Sequence, residues 1–107
     1  MFVTSQGSPH ARFRRALGNG EPMHALAAAE ELPSLTLSDS LELCLLLARA
    51  RDGRYPRFAA RWLSLLARSG ADLSDLQLAG GALSKVSQEP EDELSLAALR
   101  SMAMRRR

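Results

Sequence analysis

Isoleucine is absent from this 107-residue chain, valine occurs only at Val3 and Val86, and lysine only at Lys85. Residues branched at Cβ fit the pleated surface of a strand, so their scarcity argues against a sheet-based fold. A single cysteine, Cys44, excludes an internal disulfide and accords with a reducing compartment. The longest strongly apolar run, Leu43 to Ala48, falls far short of the roughly 20 residues that cross a bilayer. The opening MFVTSQGSPH has neither a basic n-region nor an apolar h-region, so no secretory signal is expected. The expectation is a soluble, cytoplasmic protein.

Side chains that carry chemistry are equally scarce. The two histidines, His10 and His24, have no partner at metal-ligand spacing. Cys44 lies between Leu43 and Leu45, where a thiol reads as an inert core residue. His24 either faces solvent or is satisfied by Glu21. Gly18-Asn19-Gly20 precedes a helix, but the lysine of a phosphate-binding loop is missing. No catalytic, metal-binding or cofactor-binding residue is therefore assigned, and an enzyme is not expected.

What the chain does contain is leucine, alanine and arginine. Hydrophobic residues make up 46% and charged residues 24%, enough apolar material for a packed core. Leucine and alanine favour helices, and the start and stop signals divide the chain into six of them. Residues 1–8 read as a loose tail. Ser8-Pro9 opens the first helix, which stops at Gly18-Asn19-Gly20. Glu21-Pro22 opens the second, ended near Leu32 by Pro33. Thr36, with Asp39 three residues on, opens the third in a capping-box arrangement, and Gly53 ends it. Its segment LELCLLLA has almost no polar side, which marks it as the central helix. Tyr55-Pro56 starts the fourth, closed by Gly70. Asp72 starts the fifth, and Gly80-Gly81 inside it implies a kink or a close helix approach. Pro90 starts the sixth, which frays into the basic end 105–107. Leu37-Ser38-Asp39 recurs as Leu73-Ser74-Asp75, so a stack of helical hairpins and a compact bundle both fit. The fold class is all-α, one domain over 9–104.

Thirteen of the 14 basic residues are arginine. A GC-rich genome explains such a bias without function. Position says more. At about 100° per residue, Arg54, Arg57, Arg61 and Arg68 fall within roughly one sixth of the helix circumference. Phe58, Trp62, Leu65 and Leu66 occupy the adjoining arc. Between Arg49 and Arg68 there are six arginines and one acid, Asp52. Such a line at the margin of an apolar face is either a solvated stripe paired with the protein's own acids (Glu89, Glu91, Asp92 and Glu93, or Glu30 and Glu31) or a docking surface for an anionic partner. Trp62 is a core anchor if buried and a contact residue if half exposed. The partner-binding set assigned from sequence is Arg54, Arg57, Arg61, Arg68 and Trp62. An acidic or helical protein segment is the expected partner. Nucleic acid is the alternative, with a net charge of only +2 and no recognised DNA- or RNA-binding motif against it. A homo-oligomer is compatible with the sequence.

The segments GN…ALAAAEELP, LCLLLA and RFAARWL, between Ala16 and Leu66, together resemble short, uncharacterised actinobacterial proteins that carry the same three elements. The resemblance covers about half the chain. It implies a helical fold and a high-GC source, and no activity.

Overall fold

The computed structural model describes residues 8–106; the proposed tail, apart from Ser8, and Arg107 lie outside them. Six helices follow in order: α1 (Pro9–Asn19), α2 (Pro22–Glu30), α3 (Leu37–Arg49), α4 (Tyr55–Arg68), α5 (Leu73–Gln88) and α6 (Glu93–Arg105). The all-α reading holds among the described residues.

Side-chain caps set most of the starts. Ser8 accepts the Ala11 N–H, Thr36 the Asp39 N–H and Asp72 the Asp75 N–H, each relieving one of the unpaired donors of a first turn. The Asp39 carboxylate does not close a capping box. It turns instead to α1, accepting from Arg14 Nη1 at 2.7 Å and lying 3.4 Å from His10 Nε2. The sixth helix begins later than expected, at Glu93. Asp92 accepts both the N–H and the hydroxyl of Ser95, a stronger start than Pro90 offers, and Pro90 sits in the preceding turn.

The ends differ more. Gly18 and Asn19 lie within α1, and Gly20, in the left-handed region, caps it. Helix α3 stops at Arg49, four residues before Gly53, because Arg51 adopts φ 56° and reverses the chain. Its guanidinium reaches the Ser87 carbonyl at 3.5 Å near the end of α5.

Two cores meet on α3. Leu41, Cys44, Leu45, Leu47 and Ala48 face a core shared with Trp62, Leu66, Leu83, Val86, Leu99 and Met102 from α4, α5 and α6. Leu43 and Leu46 point the other way, into a second core with Phe13 and Ala16 of α1 and Ala25 and Ala28 of α2. The lack of a polar side on α3 thus has a direct cause: the helix is buried from two directions. Helices α3 to α6 pack in sequence, and α6 returns to pack on α3, closing a four-helix ring. This closure decides for a bundle, with the α1–α2 hairpin docked on one flank, over an open repeat stack.

Gly80-Gly81 produces no close approach. Helix α5 runs unbroken through the pair, and a Cβ built on either glycine meets nothing within 4 Å. Gly80→Ala and Gly81→Ala are each expected to raise stability by about 1 kcal/mol, the helix-propensity difference. The urea midpoint measures this; a fall in midpoint would show a packing role for the bare backbone.

Candidate functional site

The arginines of α4 do not behave alike. Arg54 is the N-cap residue and forks onto Asp52, with Nε–Oδ1 at 2.9 Å and Nη2–Oδ2 at 2.8 Å. This bidentate pair, with the Arg54 backbone N–H also donating to Asp52, holds the Asp52 carboxyl down at about 2. Arg54 Nη2 also lies 3.2 Å from Met23 Sδ, tying the start of α4 to α2.

Arg57, Arg61 and Arg68 are exposed, and their guanidinium groups meet no carboxylate among the described residues. Several of the acids that could have neutralised the stripe are engaged elsewhere. Glu31 pairs with Arg12, Glu89 with Lys85 at 3.0 Å, and Asp92 is turned to Ser95. Arg61 lies over the Phe58 ring, 5.0 Å from its centroid, which fixes its direction without neutralising it.

Trp62 is a correction to the assigned contact set. It is 1% exposed, and its Nε1–H donates to the Leu37 carbonyl at 3.0 Å. Its angular position on α4, beyond Phe58, carries it into the bundle core. Arg68 is set apart as well: it lies nearly two turns beyond Arg61 and does not line the cleft formed by the other three.

That cleft lies between α4 and the α1–α2 hairpin and has a volume of about 430 Å³. Leu26 and Ala29 of α2, Leu35 of the α2–α3 connection, Leu43 of α3 and Phe58 of α4 give it an apolar floor. Arg54, Arg57 and Arg61 line its α4 side, and Glu30 is the one acid on the opposite side. A smaller recess of about 70 Å³ adjoins it, sharing Leu35, Leu43, Phe58 and Arg61 and reaching Ser40, Trp62 and Leu65. The α2 wall has no signature in the periodicity of α4, so reasoning from α4 alone misses it.

The first turn of α4 is electrostatically unfavourable. Helices α3, α5 and α6 each carry an acid in the first turn: Asp39, Asp75 and Glu93. Helix α4 has none there, and Arg57 occupies that turn. A cation at a helix N-terminus opposes the macrodipole by about 0.3–1 kcal/mol. Arg57 is thus costly where it stands and has no carboxylate partner among the described residues.

Other titratable groups offer no alternative centre. The Cys44 thiol is buried and pushed up to about 12 by desolvation, leaving it protonated at neutral pH. Tyr55 donates its hydroxyl to the Leu83 carbonyl at 2.7 Å, and burial also raises its pKa. His24 is exposed with Nδ1 3.4 Å from Glu21, as its sequence position allowed. Among the described residues no group of three His, Cys, Asp or Glu side chains could hold a metal ion, and no helix is long and apolar enough to cross a membrane. Comparison with protein-family models, with curated proteins and with solved structures finds no match.

Proposed function

We propose that this protein is a small, non-catalytic interaction module that holds an acidic segment of another protein in the cleft between α2 and α4. The observation that carries this reading is the pair Arg57 and Arg61. They stand one helical turn apart, exposed, without a carboxylate partner among the described residues, on the edge of an apolar floor. An apolar floor beside unpaired cations matches a ligand with an apolar face and acidic residues beside it.

Nucleic-acid binding through the same arginines is the competing reading, and salt separates the two. Phosphate contacts release condensed counterions, so affinity falls steeply as salt rises. A segment seated on an apolar floor loses only its screened electrostatic part. The test is fluorescence anisotropy with an acidic amphipathic peptide and a single-stranded oligonucleotide, each from 50 to 300 mM NaCl. The proposal expects the peptide to bind and to keep most of its affinity across the series. Binding of the oligonucleotide alone, with a steep salt slope, would replace it with the nucleic-acid reading.

A further inference from the structure

Helix α6 is apolar on two sides and covered on one. Leu99, Met102 and Ala103 are buried in the four-helix core, with Leu96 partly buried against it. On the opposite side Leu94 is 84% exposed and Met104 61%, and Ala97 and Ser101 between them are exposed as well. The spacing of three, four and three residues puts all four on one strip, about 15 Å long. Leu78 of α5, 58% exposed, stands beside it and lines, with Leu94 and Ala98, a groove between α5 and α6. On α3 the lack of a polar side is matched by burial from two directions; on α6 the second direction is open.

The ends of the strip point to what covers it. Glu93 flanks Leu94 at its start and Arg105 flanks Met104 at its finish. Both are exposed, and neither side chain has a hydrogen-bond or ion-pair partner among the described residues. A strip acidic at one end and basic at the other is complementary to itself turned end for end. The register agrees. With two α6 helices antiparallel, position 94 faces 104, 97 faces 101 and 93 faces 105, each pair being centred on Leu99. The small Ala97 and Ser101 then meet in the middle, where they let the backbones approach, and Leu94 and Met104 close the ends. We propose that the chain pairs with a second copy of itself through this face of α6, two-fold symmetric and antiparallel, with Glu93 of each copy against Arg105 of the other. A parallel pairing would set like charges together at both ends. Both charges also favour the macrodipole of α6, a role that needs no second copy. The cleft between α2 and α4 shares no residue with this face, so the pairing is independent of the interaction reading above.

The test is sedimentation equilibrium of the full chain at concentrations up to about 500 µM. The strip is short, so the native chain is expected to dimerise weakly, with a dissociation constant on the order of 10–100 µM. Leu94→Glu, at an exposed position, is expected to leave the chain folded and monomeric throughout. Glu93→Arg and Arg105→Glu each bring like charges together at both ends of the pair, and each is expected to weaken dimerisation about tenfold. Mixed in equal amounts, these two variants are expected to dimerise with each other about as tightly as the native chain, because opposite charges then face at both ends. Neither a macrodipole role nor a misfolded variant can produce that recovery. A native chain that stays monomeric overturns the proposal and leaves the strip to a helix of another protein. Dimers that survive Leu94→Glu overturn it too, since they form through another surface. Charge variants that dimerise as the native chain does, or that fail to associate when mixed, overturn the antiparallel pairing.

Discussion

Charge reversal at Arg57 and Arg61 is expected to weaken binding of an acidic amphipathic peptide by about a hundredfold, combining the loss of two charge-assisted contacts with repulsion from the new carboxylates. The same double variant is expected to fold about as well as the native chain, the lost contact of Arg61 with the Phe58 ring offsetting the gain at position 57. Neither guanidinium has a carboxylate partner among the described residues, so no internal ion pair is broken. Arg57→Glu also places an acid in the first turn of α4, where the macrodipole rewards it by about 0.3–1 kcal/mol. Binding is therefore expected to fall while stability holds. Calorimetric titration and thermal unfolding on one preparation measure both. A stripe that merely solvates the helix would leave peptide binding unchanged by the reversal.

The second large effect concerns α3. Leu46→Ala and Leu45→Ala both truncate a buried leucine, and each is expected to cost about 2–5 kcal/mol. Their consequences are expected to fall in different places. Leu46 belongs to the core beneath the α1–α2 hairpin, and Leu45 to the four-helix core. Leu46→Ala should speed amide exchange in α1 and α2 while α5 and α6 stay protected. Leu45→Ala should speed exchange throughout α3 to α6. Because α2 forms one wall of the cleft, Leu46→Ala should also weaken peptide binding. Uniform acceleration in both variants would mean that the hairpin and the bundle unfold as one unit, and the two-core description would fail.

Much of this organisation is legible in the sequence because it is local. Ser8, Thr36 and Asp72 announce helix starts through side-chain chemistry that acts over three residues. The unbroken apolar run of α3 announces burial on all sides. What escapes such reading depends on distant partners. The left-handed Arg51, which ends α3 four residues ahead of Gly53, is a conformation that only a few per cent of non-glycine residues adopt. Asp39 looks like a capping-box acid, yet its carboxylate crosses to Arg14 and His10, a choice made by tertiary packing. The four-helix ring depends on α6 meeting α3, and no spacing along the chain reports that contact.

The candidate site divides along the same line. The phase of α4 places the arginines beside an apolar arc, and that arrangement is read directly from Arg54 to Arg68. Which arginines are neutralised is not. Arg54 finds Asp52, two residues away, whereas Arg57 and Arg61 meet no carboxylate among the described residues, and Glu31 and Glu89 are taken by Arg12 and Lys85. Trp62, grouped with the arginines in sequence, turns inward by a further part of a turn and becomes a core residue whose ring borders the recess.

Trp62 provides the most direct measurement. It is the only tryptophan, so its indole N–H gives one proton resonance, and its ring lines the recess that adjoins the cleft. Titration with an acidic amphipathic peptide is expected to shift that resonance in the native protein. The Arg57→Glu, Arg61→Glu variant, and a peptide with lysine in place of its acidic residues, are expected to leave it unmoved at the same concentrations. A resonance that stays fixed while the acidic peptide binds, or moves equally with the lysine peptide, would contradict recognition of an acidic segment at this cleft.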